Sequence, residues 1–362
     1  MGRIPWLLLL AWLGIARSEE LAGGSGRFLV QQIAWSAFAA AGLVAVALCD
    51  FRRLLPWSYA LLAAAMALLV AVYFFPTING AHRWIRLGPV GFQPSELAKP
   101  AFILAAAHYL AERKNLRTLP GVLLPLLLTL VPMLLILKEP DLGTALLFPP
   151  LLAAMLLAAG ARWRHLAAVA AVAVMLTPLV WSQMSREQKS RVAALAEDTG
   201  PGAKISADAY HLHRARATLA VGGIAGTWLA AESPPPHTYL VPEPHTDSIA
   251  VVIAERLGLA GLGLLLLLYL VLVLRGLAVA AAVQHAAGRL VVVGITAWIG
   301  MQAAINTGMM VGLLPITGLS LPLCSYGGSS LLAVGLALGL VVSIARRDEL
   351  SLEGEPFRYT PD

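Results

Sequence analysis

The sequence predicts an all-α polytopic membrane protein of about ten transmembrane helices, with one large extracytoplasmic loop between helices 7 and 8. Three observations predict it. The chain is 59% hydrophobic and only 13% charged, with a mean hydropathy of +0.76, whereas a soluble domain carries about 25% charged residues. Apolar runs of roughly 20 residues, the length a helix needs to cross a bilayer, recur along the chain. Basic residues fall in short clusters in alternate loops, the pattern that sets membrane topology. The net charge of +6 and the pI near 9.5 therefore reflect topology and not nucleic-acid binding. Cys49 and Cys324 lie near the ends of spans that this topology puts on opposite faces, too far apart for a disulfide.

The elements follow in order. Pro5 to Ala16 is apolar but short, flanked by Arg3 and by Arg17-Ser18 in the manner of a signal peptide. With no soluble domain following for a signal to export, it reads as a clipped first span. Phe28 to Cys49 is a full span ended by Asp50-Phe-Arg-Arg53, and Pro56 to Phe75 returns across the bilayer. A polar loop, Asn79 to Gly88, precedes Pro94 to Leu110, and Glu112-Arg-Lys-Asn-Leu-Arg117 closes that span. Pro120 to Leu137 leads into Lys138-Glu-Pro-Asp-Leu-Gly-Thr144, after which the chain recrosses to Gly160 and again from Leu166 to Trp181. Residues 183–247 form the large loop, interrupted by the weakly apolar Ala217 to Ala231. Ile249 to Leu274, Leu290 to Leu314 and Leu331 to Ile344 complete a single membrane domain over residues 1–347, and 348–362 form a short tail. Arg52-Arg53, Arg113-Lys114-Arg117, Arg162 with Arg164, Arg275 with Arg289, and Arg346-Arg347 share one face. The positive-inside rule makes that face cytoplasmic, with both termini inside and the chain in the cytoplasmic (inner) membrane.

The polar segments with chemical character all fall on the opposite face: Asn79 to Ser95, Lys138 to Thr144, the loop ending at Asp247, and Pro315 to Ser330. Glu243, His245, Thr246 and Asp247 stop abruptly against the apolar run that follows, which places a carboxylate at a membrane surface. Thr246 and Asp247 suit the N-cap of that helix. Glu255 and Arg256 stand inside the run, where ionisable groups mark a function or a charge pair. Glu96 and Lys99 lie at i, i+3 on one helical face, where they could neutralise each other, with Ser95 a candidate cap. Asp141 is a candidate cap of the following span, at a depth where it could pair with Lys99. Arg83, Trp84 and Arg86 supply cations and an amphipathic ring at the interface. Gly312 to Ser330 is non-helical, which a membrane tolerates only where the backbone is buried in protein or lines a watery cavity. No metal-ligand spacing, phosphate-cradling glycine loop or nucleophile elbow occurs.

Several blocks carry a specific resemblance. Asn79-Gly-Ala-His-Arg-Trp-Ile, Phe92-Gln-Pro-Ser-Glu-Leu-Ala-Lys, Pro140-Asp-Leu-Gly-Thr-Ala-Leu-Leu, Pro242-Glu-Pro-His-Thr-Asp and Ser325-Tyr-Gly-Gly-Ser-Ser resemble, in order, the signature blocks of the SEDS family (shape, elongation, division and sporulation), to which RodA and FtsW belong. The match runs from roughly Phe28 to Arg347, and Asn306-Thr-Gly-Met-Met and Leu314-Pro-Ile-Thr-Gly look more like RodA than FtsW. The resemblance implies a ten-helix bundle that polymerises lipid II into undecaprenyl-linked glycan strands at the outer face of the membrane. It also implies a class B penicillin-binding protein as partner, in cell elongation or division.

By the same resemblance Asp247 matches the proposed catalytic aspartate, and Lys99 and Asp141 match a pair facing each other across a central cavity. Arg83, Trp84, Glu96, Glu243, His245, Thr246 and Ser325 stand at motif positions of that cavity. An inverting glycosyl transfer needs a base for the attacking sugar hydroxyl and cations for the departing diphosphate. Arg83, Arg86, Lys99, Arg214 and Arg216 are the diphosphate candidates. No cofactor is required by these residues, and a divalent cation (Mg or Mn) stays open. The chain departs from the family pattern at Ser248-Ile249-Ala250, at Arg256, at Arg214-Ala215 and at Ser233-Pro-Pro-Pro236. Two other functions compete: a flippase or transporter for a lipid-linked precursor, and a weakly active scaffold for the penicillin-binding protein.

Overall fold

The computed structural model describes residues 4–77, 81–87, 90–113, 115–175, 178, 181–182, 184–197, 206–229 and 241–353. Arg3, Asn79-Gly80, Gly88, Lys114, the Ser233–Pro236 turn and the end of the tail lie outside the described residues. The chain is helical almost throughout: α1 Ile4–Ala22, α2 Arg27–Leu48, α3 Phe51–Phe74, then a hairpin of β1 Ile85–Leu87 and β2 Val90–Phe92. There follow α4 Pro94–Ala111, α5 Leu119–Lys138, α6 Leu142–Ala158, α7 Trp163–Met175, α8 Arg186–Ala193 and α9 Ala207–Gly222. α10 Ile249–Ala282, α11 Ala286–Val311 and α12 Gly328–Glu353 complete the chain. The hairpin is antiparallel with Arg86 opposite Gly91.

Six helices among the described residues are long and apolar enough to cross a membrane: α2, α3, α5, α10, α11 and the Gly328–Arg347 part of α12; α6 and α7 are shorter apolar helices. Their outward faces are apolar too. On α5, Val122, Thr129 and Ile136 turn inward while Leu123, Leu127, Val131 and Leu134 are exposed. An apolar outer surface of this extent suits a lipid surround and not water. The interior is built on α11, whose Val291, Ile295, Trp298 and Ile299 are buried against α10, α4 and α6. α12 lies along α2, and the approach is close enough that a Cβ on Gly335 would come within 2.6 Å of the Ala39 carbonyl.

Three elements depart from the sequence expectation. The first helix does not stop at Ala16, because the polar residues that follow have partners. Arg17 donates to both carboxylate oxygens of the buried Glu255, at 3.0 and 2.8 Å, and Glu19 accepts from the Phe28 and Leu29 amides at 2.8 and 3.1 Å. Glu19 thus caps α2, whose own N-cap, Gly26, has no side chain to do so. Second, the described residues of the large loop include the α-helices α8 and α9, and α9 buries Ala209, Leu212, Ala215 and Thr218 against α10 and α11. Third, α10 runs past Leu274 to Ala282 and is broken at Gly258, which sits at φ 71°. The backbone after α9 enters this break. Leu259 N donates to Gly223 O at 2.9 Å, and a Cβ on Gly258 would lie 2.2 Å from the Ile224 carbonyl. Thr227 reaches the same Glu255 at 3.0 Å, so α1, the large loop and α10 meet on one carboxylate.

Two outcomes follow from this joint. Arg17→Ala, which strands the Glu255 charge, lowers unfolding stability by about 3–5 kcal/mol. Arg17→Met combined with Glu255→Met costs less than Arg17→Ala alone, as read by thermal unfolding in detergent. Gly258→Ala lowers Tm well below Gly263→Ala, a change in the same helix at a position with open space around it.

Candidate functional site

The start of α10 fixes the centre of the site. Ser248, not Thr246 or Asp247, is the N-cap residue, and its carbonyl accepts from the Val251 and Val252 amides at 3.0 and 3.4 Å. Asp247 precedes the helix by too much to cap it, and its carboxylate turns to its neighbours. Oδ1 accepts from Thr246 Oγ1 at 3.3 Å and from Ser248 Oγ at 3.4 Å. Its backbone is pinned from α11, where Asn306 Nδ2 donates to Asp247 O at 2.8 Å and to Leu319 O at 2.7 Å. Burial raises the Asp247 carboxyl above the usual carboxylate range, while the nearby His211 on α9 pulls it down. His245 stacks on Phe28 with ring centroids 4.3 Å apart, and its carbonyl accepts from Tyr326 N at 2.8 Å. Burial lowers the His245 imidazole, against the opposing pull of Glu243 at 3.9 Å.

A second cluster lies one turn along α11. Lys99, fully buried on α4, donates to Glu96 Oε1 at 2.8 Å and to Gln302 Oε1 at 3.2 Å, and its ammonium lies 4.9 Å from the Trp298 ring centroid. Gln302 also accepts from Trp298 Nε1 at 2.6 Å and donates to Ser320 O at 2.8 Å. Asp141 caps α6 as expected, through Thr144 N at 3.1 Å and Thr144 Oγ1 at 2.9 Å, and accepts from Gln93 Nε2 at 3.3 Å. The Lys99–Asp141 pair is therefore not formed: Glu96, on the same helix as Lys99, takes its charge. Ser95 does not cap α4 either, since that helix opens at Pro94 with Gln93 as its flanking residue.

The cations are differently placed. Arg83 donates to the carbonyls of Glu139, at 3.0 Å, and Pro140, and so braces the turn between α5 and α6. Glu139 itself is fully buried, and burial together with Asp141 pushes its carboxyl up to about 9. Trp84 packs over Gly91 of the hairpin, and Arg86 is exposed on β1. Arg214 is held on its own helix by Tyr210, with Nε 2.8 Å from the phenol oxygen, and Arg216 lies against Gly312. The Ser325 hydroxyl accepts from Leu321 N at 2.7 Å and so shapes a turn. Among the described residues no group of three or more His, Cys, Asp or Glu could hold a metal ion. Two apolar clefts are lined by no ionisable side chain besides Arg275 in one and Lys138 in the other.

Hydrogen bonds thus join the four polar segments of the sequence: Gln93 reaches Asp141 and Ser329, Tyr326 reaches His245, and Asn306 ties Asp247 to Leu319. Sequence reasoning missed Trp298, Gln302, His211 and Glu139 as members, and met Asn306 and Ser248 only as motif letters. Trp298, Gln302 and Asn306 recur every fourth residue in an apolar span, a polar stripe that marks an interior face.

The family model of the FtsW, RodA and SpoVE cell cycle proteins matches residues 6–350. Peptidoglycan glycosyltransferase MrdB of Escherichia coli K12 is 35% identical over 291 residues, 80% of this chain and 77% of that protein. The probable peptidoglycan glycosyltransferase FtsW of Halothiobacillus neapolitanus is 37% identical over 289 residues, 77% of this chain and 68% of its own. A chain of the structure described as structural coordination of polymerization and crosslinking by a peptidoglycan synthase complex superposes with a TM-score of 0.80 at 31% identity. The match covers 96% of this chain and 98% of that one. The rod shape determining protein RodA of Thermus thermophilus superposes with a TM-score of 0.70 at 30% identity, over 96% and 95% of the two chains. Sequence motifs, fold and relatives agree, and the chain belongs to the FtsW/RodA/SpoVE family of cell cycle proteins, the SEDS family.

Proposed function

We propose that this protein is a peptidoglycan glycosyltransferase that polymerises lipid II at the outer face of the cytoplasmic membrane, with Asp247 as its base. In this reading both termini are cytoplasmic, ten helices span the bilayer, and the end of the bundle bearing Asp247 faces outward. A class B penicillin-binding protein is the partner, in elongation or division. The observation that carries the reading is the state of Asp247. It is a half-buried carboxylate whose backbone is fixed by Asn306, next to an apolar bundle that can receive a lipid tail while the sugar head stays wet.

The reaction asks three things of the site. A sugar hydroxyl of the acceptor gives its proton to Asp247 as its oxygen attacks the donor's anomeric carbon from the face opposite the diphosphate. The diphosphate leaves with its charge held by cations, for which we assign Arg86, exposed on β1, with Arg83 three residues before it. Lys99 is committed to Glu96 and Gln302, so it supports the cavity wall from within and does not present a spare charge. Inversion in one step needs one base and no second carboxylate.

Purified protein given labelled lipid II, with and without a class B penicillin-binding protein, tests the assignment. Asp247→Asn keeps the size of the side chain and loses the base, so polymer formation falls by about 10²–10⁴. Equal polymer from both forms removes Asp247 as the base, and none from the wild type even with its partner turns the reading to scaffold or transporter. Because the base works only when ionised and burial raises its carboxyl, the acid limb of the rate lies above the ordinary carboxylate range, with activity rising as pH rises through it. Arg86→Ala lowers the rate at subsaturating lipid II by about ten- to hundredfold without changing Tm.

A further inference from the structure

α9 carries a side chain that reaches the base from outside its own segment. His211 Nε2 lies 2.9 Å from Ser248 Oγ, and Ser248 Oγ lies 3.4 Å from Asp247 Oδ1. Ser248 is fully buried and stands at the N-cap of α10, yet its hydroxyl makes no capping bond to the helix. It spans instead between an imidazole and a carboxylate. An ionised carboxylate only accepts, so the single hydroxyl proton of Ser248 points to Asp247, and the Ser248 oxygen accepts from His211 Nε2–H. The result is an N–H···O–H···O⁻ array with every dipole aimed at the base.

The contact is not a chance of a loose loop. α9 is set on α10 by its buried face and by the entry of residues 222–226 into the break at Gly258, which fixes its height along α10. Of the other groups around the base, His245 interacts by charge with Glu243 and Glu19 as well as with Asp247, its ring stacked on Phe28 and edge-on to Tyr326; Tyr326 donates to Gln31, and α11 presents the neutral Asn306.

We propose that His211, acting through the Ser248 hydroxyl, is a positioning residue for the Asp247 carboxylate, so that the outer-loop helix sets both the orientation and the ionisation of the base. The proposal rests on the reading of Asp247 as the base. His211 touches no reacting atom; it orders the group that does. Removing either link frees the carboxylate to rotate away from the acceptor hydroxyl and removes a dipole that favours its ionised form.

The test is the initial polymerisation rate of the full-length protein with its penicillin-binding partner, as a function of lipid II concentration and pH. The proteins compared are His211→Ala, His211→Gln, Ser248→Ala, the double alanine variant and Asp247→Asn. Each alanine variant is expected to lower kcat about tenfold with KM for lipid II unchanged, and the double variant to be no slower than the singles. His211→Gln keeps a donor but loses the imidazole's own pull on the carboxylate, so it restores most of the plateau rate while the acid limb stays shifted to higher pH, as in His211→Ala. It also serves as the test should an alanine variant lose Tm. Wild-type kcat and an unmoved acid limb in the His211 and Ser248 variants, with Asp247→Asn inactive, overturn this proposal and leave the base assignment standing. Additive losses in the double variant, or a loss confined to KM, overturn it as well. Full activity in Asp247→Asn removes the base and the proposal together.

Discussion

A backbone that leaves the helical path among membrane helices has to find its hydrogen bonds inside the protein. The segment 312–327 meets that constraint through two amides on α11. Asn306 serves Leu319 and Asp247 together, and Gln302 serves Ser320 while it receives Lys99 and Trp298. Each amide has both donors and an acceptor, so it can satisfy a loop carbonyl and hold a functional residue at once. The position of Asp247 and the burial of Lys99 are thus set by the same helix that seals the loop. Changing either amide strands polar atoms on two sides.

Charge burial follows the same economy. Glu255 is wholly enclosed but meets Arg17 and Thr227, and Lys99 is wholly enclosed but meets Glu96 and Gln302. The Arg17–Glu255 pair and the Lys99–Gln302 bond join helices from distant parts of the sequence, so each fixes a packing register that apolar contacts in a lipid-surrounded bundle would leave soft. Glu139 is handled differently. Among the described residues no side chain bonds to its carboxylate, since Arg83 binds the neighbouring carbonyls, and burial pushes the carboxyl up to about 9, which favours its neutral form. A neutral acid beside Asp141 spares the turn between α5 and α6 a second negative charge.

Much of this was legible in the letters. Low charge, apolar run length and alternate basic loops give the helical membrane bundle, and the Pro140-Asp-Leu-Gly-Thr block gives Asp141 as the cap of α6. The misses have physical causes. Pairing Lys99 with Asp141 assumed that charges at one depth find each other, whereas the i, i+3 carboxylate of Glu96 is nearer and needs no loop to be placed. The cap at Thr246 or Asp247 failed by one or two residues, a usual uncertainty at helix ends. α9 was hidden because its inward face is made of small residues, Ala209, Ala215 and Thr218 among them, while His211, Arg214 and Arg216 dominate its composition. Nothing in a linear reading places His211 beside Ser248; that contact depends on the height at which residues 222–226 enter the break in α10.

That break has a mechanical side. α9 and the upper part of α10 are joined by main-chain bonds at one end and by the imidazole–hydroxyl contact at the other, so the two helices form a stiff bracket hinged at Gly258. A displacement of α9 is passed through these contacts to the first turn of α10, and so whatever leans on α9 leans on Ser248 and the neighbouring carboxylate as well.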